Sequence, residues 1–183
     1  MKPLKLLALS GSLRKASHNT AALDALKILA PGHIEIVIGV IADLPLFNPD
    51  KENERIPQLE KLKSLLLESE GLIIASPEYA HGISGPMKNA LDWLVSGIEF
   101  PHKPIMLINT SPRASHALSA LKEVLITMSG DIVESASVSI PLLSSELVST
   151  DIVQNQKMAN LLMTGLDRFY AEIAHKQMRE AST

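Results

Sequence analysis

Short apolar segments alternate with stretches of helical periodicity along the whole chain, and few folds satisfy that alternation. Leu4–Leu9 reads as a first strand. Asn19–Ala30 reads as a helix with Leu23, Leu26 and Leu29 on one face, stopped near Pro31-Gly32. Ile34, Ile36 and Ile38 alternate around polar Glu35 and give a second strand. Pro57 suits the first turn of the next helix, where its missing N–H costs little. Leu59, Leu62 and Leu66 then repeat at helical spacing. Leu72–Ala75 is the third strand, Pro86 to Val95 a helix, and Ile105–Ile108 the fourth strand. Ala114–Met128 is a helix closed near Gly130, and Ile132–Val138 is the fifth strand. The last helix runs from about Asp151 to Met178, with Leu162, Leu166, Phe169 and Ile173 facing inward.

Strands that alternate with helices imply an α/β protein, a parallel sheet with helices on both faces. The strand compositions predict an order. The first, third and fourth are continuous apolar runs, as expected when both faces are covered. The second and fifth mix polar with apolar residues, as edge strands do. The order 2-1-3-4-5, that of a flavodoxin-like three-layer sandwich with a five-stranded parallel sheet, puts those two at the edges. With 183 residues and no linker or low-complexity tract, one domain over residues 1–183 is expected. The loop from Asp43 to Pro57 is long and polar, which marks it as functional or mobile.

Composition removes several classes of function. Lys plus Arg is 17 and Asp plus Glu is 20, a net charge of −3, which is a poor footprint for nucleic acid. Aromatics are only 3% of the chain, so base-stacking platforms are scarce. There is no cysteine, which excludes disulfides, thiolate catalysis and iron–sulfur clusters and suits a cytoplasmic protein. The six histidines form no H-x-x-x-H pair, so no metal site is expected. The N-terminal apolar run spans only Leu6–Leu9, too short for a secretory leader, and no run approaches the ~20 apolar residues of a membrane span.

In such a sheet ligands bind beyond the carboxyl ends of the strands, at the point where the strand order reverses. The first loop, Ser10-Gly11-Ser12-Leu13-Arg14-Lys15-Ala16-Ser17-His18-Asn19-Thr20, leads into a helix N-terminus that favours an anion. Arg14 can pair two phosphate oxygens in a fork, and Ser12, Ser17 and Asn19 can donate to the rest. Neither G-x-G-x-x-G nor G-K-[ST] is present, so a terminal monophosphate fits better than a pyrophosphate. The same residues also allow a plainer reading, with Ser17 or Asn19 capping the helix and Arg14 solvated.

The second loop, Ser76-Pro77-Glu78-Tyr79-Ala80-His81-Gly82-Ile83-Ser84-Gly85-Pro86, has an unusual backbone path dictated by two glycines and two prolines. It can present N–H and C=O groups to a planar heterocycle, with Tyr79 as a bordering ring. Glu78 is either a general base or a salt-bridge partner, and His81 either contacts a substrate or makes a loop hydrogen bond. Trp93 and Leu94 read as core or subunit interface. The third loop, Asn109-Thr110-Ser111-Pro112-Arg113, is polar and converges on the same crevice, with Arg113 a candidate phosphate or substrate contact.

Gly11–Asn19, Ser76–Tyr79 and Lys88-Asn89-Ala90-Leu91-Asp92-Trp93-Leu94 together resemble the NADPH-dependent FMN reductase family, which includes chromate, quinone and azo-dye reductases. Asp43-Leu44-Pro45-Leu46 and Lys103-Pro104 are also similar to segments of that family. The resemblance implies FMN as cofactor and NADPH or NADH as electron donor. It implies that Ser12, Arg14, Ser17, His18 and Asn19 hold the phosphate, and that Pro77, Glu78, Tyr79 and Ala80 border the isoalloxazine. Ser111 falls where the third loop approaches the flavin, and His81 and Arg113 lie on the substrate side. It also implies a homodimer or homotetramer, a small-molecule electron acceptor, and no protein nucleophile or metal. Ala80 stands where the family usually has Asn, and the third loop lacks the family's glycines. The expected activity is transfer of hydride from NAD(P)H through FMN to quinones, azo compounds, flavins or metal oxyanions. The alternative is a flavodoxin-like electron carrier or flavin-binding module without NAD(P)H activity of its own.

Overall fold

A computed structural model describes residues 3–111, 115–142 and 146–181. The main elements are β1 (Leu4–Ser10), α1 (His18–Leu29), β2 (Ile34–Gly39), α2 (Pro57–Leu67) and β3 (Gly71–Ala75). A two-stranded hairpin follows, β4 (Glu78–Tyr79) and β5 (Gly82–Ile83), then α3 (Gly85–Leu94), β6 (Pro104–Asn109) and α4 (Ser115–Thr127). The chain continues through β7 (Asp131–Ile132), β8 (Val138–Ser139), α5 (Ser149–Gln154) and α6 (Gln156–Glu180).

The sheet order is β2-β1-β3-β6-β7, with β8 also beside β6, and every pairing in it is parallel. This is the flavodoxin-like order read from strand composition. Period-two alternation sends successive side chains to opposite faces. Leu7, Leu9, Leu72, Ile74, Ile105 and Leu107 enter a core shared with α2, α3 and α4. Leu6, Ala8, Ile73, Ala75, Met106 and Ile108 enter a second core shared with α1, α5 and α6. On that second face a Cβ at Gly71 would lie 2.8 Å from Phe169 Cζ and 2.9 Å from Ile173 Cδ1, so the missing side chain lets α6 sit close to β3.

Two expected elements are divided. The fifth strand is two short pairings rather than one run over Ile132–Val138. Between them the backbone turns, with Ala136 N donating to Val133 O at 3.1 Å. The Ser137 hydroxyl accepts from Leu107 N at 3.2 Å and so replaces a ladder carbonyl of the missing strand. The last helix is broken at Asn155, whose extended backbone (φ −80°, ψ 102°) ends α5 and starts α6. Its side chain accepts from Met158 N at 3.1 Å, a local cap that competes with a continuous helix. Among the described residues, no helix is long and apolar enough to cross a membrane.

The long loop after β2 is tied to α3. Trp93 Nε1 donates to Pro45 O at 2.8 Å, and Asn89 Nδ2 donates to the same oxygen at 3.0 Å. Phe47 N in turn donates to Asn89 Oδ1 at 2.7 Å. Trp93 and Leu94 are buried in the core, the first of their two alternatives.

Candidate active site

The carboxyl ends of β1, β3 and β6 meet at the crossover between β1 and β3, and the three loops after them pack together. Gly11 is the wedge. Its N–H donates to Ala75 O at 2.8 Å, continuing the β1–β3 ladder, and its carbonyl accepts from Ser84 Oγ at 2.7 Å. A Cβ here would stand 2.3 Å from Ser76 Oγ and 2.8 Å from Ser84 Oγ, so only glycine fits between the two hydroxyls. Ser84 is fully buried, caps α3 through Met87 N, and lies 3.3 Å from Ser76 Oγ.

The rest of the first loop curls over the start of α1. Ser10 Oγ lies 2.9 Å from Thr20 Oγ1, and Ser17 is the N-cap, accepting from Thr20 N at 3.2 Å. The capping reading of Ser17 therefore holds, yet its hydroxyl hydrogen stays free to donate. Asn19 is buried and its Oδ1 accepts from Thr110 Oγ1 at 3.0 Å, which leaves its Nδ2 hydrogens for another acceptor. Ser12 is also buried, Arg14 is exposed and His18 is half-buried at the first position of α1. An open groove of about 530 Å³ runs beside them, between Arg14, Ser17 and His18 on one side and Leu147 and Ser149 on the other.

The second loop is the hairpin. Glu78 pairs with Ile83 and Tyr79 with Gly82, so Ala80 and His81 form its tip. Both adopt left-handed backbone, with φ 49° at Ala80 and φ 59° at His81. A two-residue hairpin turn demands that conformation. Neither residue is the glycine or asparagine that such a turn favours. Tyr79 is half exposed, and Pro77 is partly buried at the base.

Both oxygens of Glu78 are engaged. Oε2 accepts from Ala117 N in the first turn of α4 at 2.9 Å, and Oε1 lies 3.0 Å from His81 Nδ1. The Ala117 N–H holds the Glu78 carboxyl below the usual carboxylate range, against partial desolvation and with help from the His81 bond and the His81 and His116 imidazoles. His116, on α4, meets the His81 ring edge-on with centroids 4.5 Å apart. Glu78 is thus an ionised group bonded once on each oxygen, with a second acceptor site left on both. In the third loop Ser111 is half-buried, and its N–H donates to Asn109 Oδ1 at 2.9 Å. Arg113 lies outside the described residues.

Sequence reasoning missed Ser84, Thr110 and His116. Ser84, before Gly85-Pro86, carries the signal of a helix N-cap followed by proline in the first turn. Thr110 and His116 carry none, because their partners are 91 residues and a folded loop away. No group of three or more His, Asp or Glu able to hold a metal is found among the described residues.

Comparison with known proteins adds the family context. A family model described as NADPH-dependent FMN reductase matches residues 4–142. A NADPH:quinone oxidoreductase of Arabidopsis thaliana is 44% identical over 100 residues, covering 51% of this chain and 50% of that protein. A NADPH azoreductase of Bacillus sp. strain OY1-2 is 29% identical over 127 residues, covering 69% of this chain and 70% of that protein. The matches thus span between half and seven-tenths of those relatives' own lengths. Among solved structures, FerB, a flavoenzyme NAD(P)H:(acceptor) oxidoreductase from Paracoccus denitrificans, superimposes with a TM-score of 0.70. It is 24% identical, covers 91% of this chain and 97% of that one, and the likeness is one of fold.

Proposed function

The chain belongs to the NADPH-dependent FMN reductase family, and from that premise we propose that it is an FMN-dependent NAD(P)H oxidoreductase acting on small-molecule acceptors such as quinones and azo compounds. The observation that carries the proposal is the donor set over the N-terminus of α1. Buried Ser12, Ser17 and Asn19 keep hydrogens available there, next to the exposed Arg14 guanidinium. Hydroxyl, amide and guanidinium donors at a helix N-terminus match the chemistry of a terminal phosphate dianion. The absence of a further glycine-rich turn matches a monophosphate rather than a dinucleotide pyrophosphate.

FMN, when bound, supplies a flavin ring that accepts hydride from NAD(P)H and passes it to the acceptor. The protein's part is placement. Ser12, Arg14, Ser17, His18 and Asn19 hold the phosphate. Gly11, Ser76 and Ser84 keep the first and second loops in contact, so that the phosphate and ring subsites stay at a constant separation. Pro77, Tyr79 and Ala80 border the ring, and Ser111 closes the third side. Glu78 anchors the hairpin to α4 through Ala117 N and meets His81 through its other oxygen. Residues 1–183 act as one catalytic domain in the cytoplasm on this reading. It includes a homo-oligomer, supported by the exposed apolar side chains of Leu46, Val95 and Ile98 around the end of α3.

The test is an anaerobic absorbance trace of the protein reconstituted with FMN and freed of excess, before and after addition of NADPH. Retained flavin that bleaches within seconds is the expected result. Retained flavin that stays oxidised with both NADPH and NADH would overturn the reductase reading in favour of an electron carrier, and failure to retain flavin would overturn the cofactor assignment.

A further inference from the structure

The tip of the β4–β5 hairpin is costlier than it needs to be. Two adjacent non-glycine residues hold positive φ there, a conformation in which Cβ crowds the following carbonyl oxygen. Asn-Gly would make the same turn at less cost. The conformation carries the His81 ring back onto its own strand, where Nδ1 meets Glu78 Oε1 at 3.0 Å. The His116 ring of α4 supports it from the side. Glu78 is itself held by the Ala117 N–H, so three elements converge to orient one imidazole. A carboxylate on Nδ1 selects the tautomer with hydrogen on that atom. Nε2 then has no partner among the described residues, and the His81 side chain is 76% exposed while that of Glu78 is only 15% exposed. The imidazole is thus oriented at the tip of the hairpin that borders the ring subsite proposed above, with Nε2 turned to solvent.

We propose that His81 donates the proton that accompanies hydride transfer to the acceptor, with Glu78 as its positioning residue. The inference rests on the reductase reading above and names the acceptor class, oxidants that take up a proton together with the hydride. For a quinone the reaction is quinone plus hydride plus proton giving hydroquinone. The hydride originates in NAD(P)H, which becomes NAD(P)⁺. At the acceptor oxygen an O–H bond forms as the Nε2–H bond of the His81 imidazolium breaks. Neutral imidazole remains, its Nδ1–H still on Glu78, and water returns the proton to Nε2. Among the described residues, Glu78 and His116 are the titratable groups in contact with the ring.

The experiment compares a benzoquinone, which needs the proton, with ferricyanide, which takes an electron and no proton, using the FMN-loaded protein and NADPH. His81→Asn is the informative variant because asparagine tolerates the left-handed backbone and keeps the turn. General acid catalysis contributes roughly 10²–10⁴-fold, and water partly replaces the acid at an exposed position. The quinone-to-ferricyanide rate ratio should therefore fall at least tenfold in His81→Asn, through kcat rather than KM, and less in Glu78→Gln. A second readout needs no flavin: ¹⁵N NMR of the cofactor-free protein, recorded in base where imidazole is neutral, should show the Nδ1–H tautomer at His81, a preference lost in Glu78→Gln. An unchanged rate ratio in His81→Asn, or a tautomer indifferent to Glu78, overturns the proposal while leaving the reductase reading intact. If the unaltered protein reduces neither acceptor, the reductase reading fails and the role of His81 with it.

Discussion

Replacing Gly11 by alanine should destabilise the protein by about 2–4 kcal/mol, an overpacking cost joined to two weakened hydrogen bonds. Gly11 has no positive φ, so alanine carries no backbone penalty. The added Cβ would lie 2.3 Å from Ser76 Oγ, 2.9 Å from Ser76 Cβ and 2.8 Å from Ser84 Oγ. The Ser76 hydroxyl can rotate away, but its Cβ is close to the backbone and cannot. Ser84 is fully buried and has nowhere to go. Displacing it weakens its 2.7 Å bond to Gly11 O, worth about 1 kcal/mol, and loosens the α3 cap, worth about another 1 kcal/mol. Overpacking contributes about 1–3 kcal/mol, of which loop movement relieves part. For a chain of this length the loss is a fall in Tm of about 5–15 °C. The assay is urea and thermal unfolding of the cofactor-free protein beside Gly32→Ala, a control with no atom within 4 Å of the new Cβ. Gly32→Ala should be neutral or slightly stabilising. If Gly11→Ala proves as benign as Gly32→Ala, the wedge between the first and second loops does not exist as described.

Other outcomes follow from the same contacts. Arg14→Ala should weaken FMN binding by about 1.5–3 kcal/mol, the value of a charge-assisted hydrogen bond, without changing the Tm of the flavin-free protein; fluorescence titration of FMN reads it, and unchanged affinity removes Arg14 from the phosphate site. Because the Glu78 carboxyl titrates lower in the folded protein than its ordinary value of 4.5, its stabilising effect is present above that pH and is lost as pH falls through the folded value. The stability gap between the unaltered protein and Glu78→Gln should accordingly close on acidification, as urea unfolding at a series of pH values would show; a gap that widens in acid would contradict the Ala117 anchor. Phe169→Ala should cost about 3–5 kcal/mol as a fully buried aromatic is lost. Gly71→Ala should be less damaging in that background than alone, because the Phe169 ring is one of the two groups its Cβ would strike, Ile173 being the other, and a double-mutant cycle measures the coupling.

The layers and strand order were legible because they follow from short-range periodicity. Leu7 and Leu9 against Leu6 and Ala8 is a period-two pattern that any strand of that composition shows, and the edge positions of the second and fifth strands follow from their polar residues. The division of the fifth strand was not legible. Ser137 is an ordinary strand residue in sequence, and it breaks the ladder only because its hydroxyl reaches Leu107 N on the neighbouring strand. Asn155 is a different case, since a good N-cap inside a helical pattern is a local signal that the sequence carries.

In the candidate site the same boundary runs between local and distant contacts. Ser17 and the start of α1 belong to one stretch of chain, so capping chemistry and an anion-favouring terminus could be derived from residue types alone. Glu78 could not be assigned, because a carboxylate in a loop is defined by what it meets. What it meets is Ala117, 39 residues on, and a His81 ring steadied by His116. Gly11 reads in the sequence as one glycine among several serines, and becomes a wedge only when Ser76 and Ser84 close on either side. Which elements form, and which loops share an end of the sheet, follow from residues close in the chain, because propensity, periodicity and capping act within a few residues. Tertiary structure decided which polar group each loop residue finds, because those partners are brought together only when the cores on both faces of the sheet close.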